Sequence, residues 1–213
     1  MHSGLVHLAK YAAYVLVGAI TGPRLRLNAT WWNRDYQRQG LARLEGNREL
    51  SRYLAVMACT LLYEPEPAVL DVGCGTAKLY ELLAPHRLRA YDGVDVSSEA
   101  LVRARERMAG AGGGARLFCA DFEHFTPDRR YTTVIFNEAL YYAPRPLPLA
   151  ERYAAMLSPG GTMIVSMWER PSRRTVWRAL DAALVPVHSF HICAPGLRRW
   201  RIGVYRVRES TAE

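Results

Sequence analysis

The stretch "VLDVGCGTAKLYELL" (Val69–Leu83) ends an apolar run on an acid, crosses two glycines and then turns helical. Glycine tolerates left-handed backbone and lets the chain approach a ligand closely, while a helix start presents free N–H groups. The stretch therefore reads as strand, ligand-side turn and helix, with a binding site expected at the carboxyl end of a parallel sheet. Dinucleotide turns carry a third glycine for helix packing, and in Gly73-Cys74-Gly75-Thr76-Ala77-Lys78 that place falls to Lys78, which disfavours pyrophosphate.

Outward from this turn, short apolar runs alternate with helical stretches from Pro67 onward, the rhythm of βα units feeding a parallel sheet. Buried parallel strands read as continuous apolar runs. The predicted strands are Ala68 to Val72, Leu88 to Val94, Ala115 to Cys119, Thr132 to Phe136 and Thr162 to Met167. Predicted helices span Ala77 to Ala84, Ser98 to Gly110 and Leu147 to Leu157, the second capped by Ser97 or Ser98 and ended by the glycines Gly110 to Gly114. Val185 to Ile192 and Trp200 to Val207 flank a Pro195-Gly196 turn and read as an antiparallel pair at one sheet edge. Residues 1–67 lack the βα rhythm and read as helical, particularly Gly46 to Tyr63. The expectation is a doubly wound α/β domain at 68–213, with a mostly parallel seven-stranded sheet and an antiparallel last strand, under a helical N-terminal cover at 1–67.

Half of the 213 residues are hydrophobic, enough for one sizeable core. Cys59, Cys74, Cys119 and Cys193 are scattered without CxxC or CxxH spacing, so no metal site is expected and a reducing cytoplasm is the simpler compartment. The formal charge of +8 is carried by arginine, since Lys10 and Lys78 are the only lysines. Arginine suits phosphate and carboxylate partners, yet short runs such as Arg129-Arg130 and Arg173-Arg174 read as solvated faces. The apolar stretch Ala9 to Ile20 falls short of the roughly 20 residues that span a membrane, and is read as a packed N-terminal helix rather than an anchor.

Two further acids follow the opening turn. Asp95 closes the second strand in "GVDVSSEAL", placed to accept from a ribose diol, with Val96 beside it. Asp121 follows the third strand in "FCADFEHF", placed to accept from an adenine amino group with Phe122 against the ring. Singly, each acid reads as a cap or a surface carboxylate. Three in order, each at a strand end, read as a converging set.

Asp71 to Ala77, Asp95 and Asp121-Phe122 resemble the cofactor motifs of class I S-adenosylmethionine-dependent methyltransferases, and the resemblance spans roughly Ala68 to Val207, including "LSPGGTMIVSMWE". It implies that S-adenosyl-L-methionine is the cofactor. Asp71, Gly73, Cys74 and Gly75 would then shape the pocket for the methionine part, Asp95 and Val96 would meet the ribose, and Asp121 with Phe122 the adenine. The family often has a third glycine where this chain has Ala77.

Methyl transfer is an in-line displacement, so alignment and exclusion of water dominate, and a base is required only if the acceptor must lose a proton. The fourth strand runs into "FNEALYYAPRP", a segment similar to that of small-molecule methyltransferases, the nodulation-type N-methyltransferases among them. Asn137 is taken as cofactor-side. Glu138, Tyr141 and Tyr142 are the catalytic candidates, the carboxylate to orient or deprotonate an amine and the tyrosines to form the pocket or, equally, to cover the sheet edge. His188, near the sixth strand, joins them as an acid–base candidate by residue type. His191 on the same strand faces the other way, and His124 is an outside candidate. Trp31, Trp32 and Tyr36, in "TWWNRDYQRQGLARLEG", read either as a cover that closes over the cofactor or as anchors for the N-terminal helices.

The expected activity is methyl transfer to nitrogen or oxygen of a small-molecule acceptor, an amino sugar or a secondary-metabolite intermediate being candidates, by a cytoplasmic monomer or homodimer without membrane partner. A nucleic-acid methyltransferase is the alternative that the arginine excess raises, although no Asn-Pro-Pro-Tyr motif follows the fourth strand. A non-catalytic cofactor-binding regulator is another, and a nicotinamide oxidoreductase a third.

Overall fold

The computed structural model describes residues 28–38, 46–109, 114–194 and 198–208. The sequence features at Ala9 to Ile20, Gly110 to Gly113 and Pro195-Gly196 lie outside the described residues. Two helices, α1 (Ala29–Gln37) and α2 (Asn47–Tyr63), precede the first strand. There follow β1 (Ala68–Val72), α3 (Lys78–Leu83), β2 (Ala90–Asp95), α4 (Ser98–Met108), β3 (Ala115–Cys119) and β4 (Tyr131–Asn137). The chain then forms α5 (Pro146–Ala154), β5 (Leu157–Trp168), α6 (Arg174–Ala183), β6 (Val185–Ala194) and β7 (Arg198–Arg206).

The strands form one seven-stranded sheet in the order β3-β2-β1-β4-β5-β7-β6. All neighbours from β3 to β5 pair in parallel, and β7 runs antiparallel between β5 and β6. Alternation of side chains along a strand feeds two cores. Leu70, Val72, Val134, Phe136 and Val165 face α5 and α6, whereas Val69, Tyr91, Ile135, Ile164 and Ile202 face α2, α3 and α4. Helices thus cover both faces, as a doubly wound sheet requires.

Differences from the sequence reading have local causes. The helix of α5 stops at Ala154, and β5 begins at Leu157, which pairs with Tyr131 before the Pro159-Gly160 turn shifts the register. Helix α6 was not among the predicted helices; no side chain caps its start, although Val176, Trp177 and Leu180 fall at helical spacing. Burial of Val176, Trp177 and Leu180 holds it, each such side chain contributing about 1.5–3 kcal/mol. In β2 the apolar run is interrupted by Asp92, fully buried and bonded by Arg116 (2.9 and 2.7 Å), Arg129 (2.8 Å) and the Tyr131 hydroxyl (2.5 Å). Burial alone would raise that carboxyl, but these donors outweigh it and hold it down at about 2. Among the described residues no helix is long and apolar enough to cross a membrane, and no cluster of metal-ligating side chains occurs.

Candidate active site

Register brings the sequence-predicted acids to one end of the sheet. Asp71 pairs with Gly93 and Ile135, and Asp95 pairs with Cys119, so the chain leaves β1, β2, β3 and β4 on the same side, at the carboxyl ends. Gly73 and Gly75 adopt φ of +76° and +56°, and a Cβ on them would lie 2.6 Å from the Ala139 methyl and 2.7 Å from the Tyr36 hydroxyl. Only glycine fits that turn. Ala77, where the family often has glycine, is itself left-handed at φ +57°.

The N–H groups of the glycine turn itself are taken by the neighbouring strand end, so any N–H groups offered to a ligand are those of the helix start beyond it. Gly73 and Cys74 donate to the Val94 carbonyl at 2.8 and 3.1 Å, and Gly75 donates to Asp95 Oδ2 at 2.9 Å. At Gly73 to Gly75 the bare turn brings backbone close. Cys74 turns its thiol into the core against Gly93, so only its backbone is left for a ligand.

Asp71 is 2 % exposed, with Oδ2 accepting from the Tyr91 hydroxyl at 2.7 Å and Oδ1 without a partner. Burial pushes its carboxyl up to about 7, against the pull of that hydroxyl. Asp95 Oδ1 accepts from Ser97 N–H at 2.8 Å, and burial raises this carboxyl too, opposed by the N–H groups of Ser97, Gly75 and Val96. Asp121 is less enclosed; its Oδ1 takes the Glu123 N–H at 2.9 Å, and His124 stands 3.8 Å from its Oδ2. The Phe122 carbonyl is held by Arg152 and by Tyr153 (2.8 Å), which fixes the segment beside Asp121.

At the end of β4, Glu138 has φ +61°, a conformation disfavoured for a side chain with a Cβ. Its carboxylate explains why the strain is held: one oxygen accepts the Trp168 N–H and the other the Tyr141 hydroxyl at 3.0 Å. Burial lifts this carboxyl above the ordinary range, opposed by the charges of Arg52 and Arg173 and by those two donors. Tyr142 is 3.3 Å from Tyr141, hydroxyl to hydroxyl. Arg173 lies 3.5 Å over the Tyr141 ring and donates to the Trp168 carbonyl at 2.7 Å.

Helix α1 bridges the two halves of this site. Trp32 packs edge-on against Tyr142 at 5.0 Å, while Tyr36 covers Gly75. Asn33 accepts from the Ser97 hydroxyl at 2.7 Å, and Arg103 donates to the Tyr36 carbonyl at 2.7 Å. None of the residues of α1 is fully buried, and Trp31 is exposed.

Arg52 was missed by the sequence reading. It lies in α2 at 1 % exposure, bonded to Asn137 Oδ1 and paired with Glu49 at 3.4 Å, and Ser166 also donates to that Asn137 oxygen at 2.7 Å. The available signal was Glu49 and Arg52 sitting one turn apart on the face of the helix that continues into Val56 and Cys59.

His188 is not brought to this group. It sits on β6, three strands across from β4, a sideways offset of about 14 Å at 4.7–4.9 Å per strand. Its ring instead meets the Tyr63 hydroxyl at 3.3 Å and Phe190 edge-on. His191 faces the opposite side and bonds Glu169 at 3.1 Å.

The set of acceptors fits the cofactor implied by the sequence. An orphaned, buried carboxylate oxygen on Asp71 suits an ammonium, and Asp95 and Asp121 are carboxylate acceptors of the type that hydroxyl and amino donors need. Residues 69–161 match the methyltransferase domain family. The chain is 30% identical over 118 residues to the ubiquinone biosynthesis O-methyltransferase of Coxiella burnetii, covering 55% of this chain and 50% of that protein. It is 29% identical over 152 residues to nodulation protein S of Rhizobium tropici, covering 68% and 62%. The chain thus spans about half to three fifths of the length of these relatives. Its fold matches the N-methyltransferase NodS of Bradyrhizobium japonicum WM9, solved with S-adenosyl-l-homocysteine, with a TM-score of 0.72 at 22% identity, covering 83% of this chain and 98% of that one.

Proposed function

On the premise that this chain carries the methyltransferase domain of the class I, S-adenosylmethionine-dependent family, we propose that it transfers a methyl group to nitrogen or oxygen of a small-molecule acceptor. When bound, S-adenosylmethionine supplies a methyl group on a sulfonium, open to in-line attack by a lone pair. Asp71 Oδ1 holds the ammonium of the methionine part, and the two glycines let backbone lie against it. Asp95, steadied by Gly75, Ser97 and Val96, accepts from the ribose hydroxyls. Asp121 accepts from the adenine amino group, with Phe122 beside the ring. Arg52 and Ser166 occupy the Asn137 carbonyl oxygen, so the amide hydrogens are the donors that Asn137 has left for the cofactor.

On the acceptor side, Glu138 is the group to take a proton. Burial brings its carboxyl toward neutrality, which strengthens it as a base, and its two donors fix its orientation. Tyr141, Tyr142 and Trp32 form an aromatic wall that excludes water from the transfer. Helix α1, joined to the rest by a few polar bonds and one ring contact, acts as a cover that opens for exchange.

The observation that carries this reading is the unpartnered, buried Asp71 oxygen in line with two further strand-end carboxylates. The names of the relatives include both an O- and an N-methyltransferase, so the acceptor atom is settled by experiment. Calorimetry with S-adenosylmethionine and with its demethylated product tests the cofactor, and absence of binding to both removes the proposal. Labelled-methyl transfer to a panel of amino sugars, phenols and carboxylic acids then identifies the acceptor class. Retained cofactor binding with no transfer to any of them would favour a regulator.

A further inference from the structure

Past the end of β5 the chain builds an open pocket of about 640 Å³ between α6 and the β6–β7 pair, within the range of small-ligand sites. Arg170, Arg174, Arg178 and Arg201 line it, against one carboxylate, Glu169. Glu169 is already engaged, by Arg199 at 2.7 Å and His191 at 3.1 Å.

The geometry points to this pocket as an anion-binding compartment of the acceptor site, taking a carboxylate or phosphate group of the small molecule whose nucleophile faces Glu138. The inference rests on the methyltransferase reading and adds the chemical class of the acceptor.

Three observations separate the pocket from an ordinary solvated face. Two of its guanidinium groups are pre-ordered. Arg201 donates to Asp181 at 2.8 Å and to Ser189 at 2.9 Å while lying 4.4 Å over the Trp177 ring, and Arg170 lies 3.7 Å over Trp168. Next, α6 is charged against its own stability. Arg174 opens the helix and Arg178 follows one turn later, with no acid in the first turn and, among the described residues, no ion-pair partner for either. Cations at a helix start oppose the dipole, and like charges four residues apart repel. A bound anion reverses both terms. Finally, Trp177, which lines the pocket and is 4 % exposed, has an indole N–H without a partner.

The pocket adjoins the Glu138 cluster through residues next to its own lining: Trp168 precedes Glu169 and Arg170, and Arg173 precedes Arg174. Trp168 gives its N–H to Glu138 and its ring to Arg170, and Arg173 ties the Trp168 carbonyl to the Tyr141 ring. An acceptor anchored by its anionic end would therefore lie against the wall that holds Glu138. Arginine forks bind carboxylate and phosphate alike, so both chemistries enter the test.

The full chain, with its demethylated cofactor product present, is titrated with tricarballylate and separately with inorganic phosphate, following tryptophan fluorescence. Binding is expected for at least one, and the tighter names the group. The Arg174→Gln/Arg178→Gln double variant should lose about tenfold or more of that affinity, since each charge-assisted bond is worth about that factor. Its melting temperature should be unchanged or higher. A charge-matched Arg87→Gln/Arg105→Gln control, on exposed arginines elsewhere, should bind like the parent. No binding to either anion, or equal loss in the control, overturns the proposal, as does an RNA oligomer that binds more tightly than both anions and is lost in the same double variant. Cofactor affinity is measured alongside, so a failure of the methyltransferase reading shows as lost cofactor binding with the anion titration intact.

Discussion

Asp71 should make cofactor binding depend on pH across the neutral range. Its carboxyl titrates at about 7 in the free protein because burial penalises the charge. An ammonium on Oδ1 would offset that penalty and keep the group ionised in the complex. Only the ionised fraction is then ready for the ligand. At pH 5 that fraction is about 1 in 100, so affinity should be about 100-fold below its plateau, near 2.7 kcal/mol at 1.36 kcal/mol per pKa unit. Calorimetry with the demethylated product between pH 5 and 7.5 measures the slope, and repeating it at pH 5.5 in two buffers of different ionisation enthalpy should show close to one proton released. Asp71→Asn cannot titrate, and should bind weakly with little slope. The same carboxyl works in the opposite sense on folding. A folded pKa raised above the unfolded value of about 3.9 adds stability that is complete below that value and is lost as pH rises through about 7. An affinity in the parent that is flat from pH 5 to 7.5, or an undiminished slope in Asp71→Asn, would refute the assignment of the ammonium to this residue.

Glu138→Gln should leave cofactor affinity within about twofold and slow labelled-methyl transfer about 10²–10⁴-fold, the range for loss of a positioned base; equal turnover in variant and parent would show that this carboxylate is not the base. Asp92→Ala takes the shared acceptor from Arg129 and the Tyr131 hydroxyl and leaves Arg116 only its pair with Asp128. Since both guanidinium groups are a third or more exposed, urea unfolding should record a loss of about 1–3 kcal/mol, the cost of leaving the buried hydroxyl and the arginines short of a partner. Because the Asp92 carboxyl is held down at about 2, its contribution is present above about pH 4 and is lost as pH falls through 2; a variant that matches the parent at neutral pH would show the network to be idle. Trp32→Ala removes an edge-on ring pair worth about 0.5–1.5 kcal/mol, and stopped-flow measurement should find cofactor release about 2- to 10-fold faster, whereas an unchanged rate would separate α1 from gating.

By itself the sequence determined what repeats along the chain. The βα rhythm, the five parallel strands, the antiparallel closing pair and the ligand-side turn of Gly73 and Gly75 are local patterns, since apolar periodicity and left-handed glycines act within a few residues. The strand-end acids Asp71, Asp95 and Asp121 were legible for the same reason. Only the tertiary structure decided which partners the polar groups find. The N–H groups of the glycine turn go to Val94 and Asp95, Arg52 crosses 85 residues of chain to Asn137, and Asp92 draws in Arg116 and Arg129 from two later segments. His188 looked eligible because a histidine near a strand carries no record of how many strands separate it from the site, and β7 inserts between β5 and β6. Helix α6 lacks a side-chain cap, but Val176, Trp177 and Leu180 recur at helical spacing with polar residues on the other face, so its local signal was present in the sequence and went unread. Burial sets the price of an unpaired charge, and burial is a property of the assembled sheet and its helices rather than of any stretch of residues.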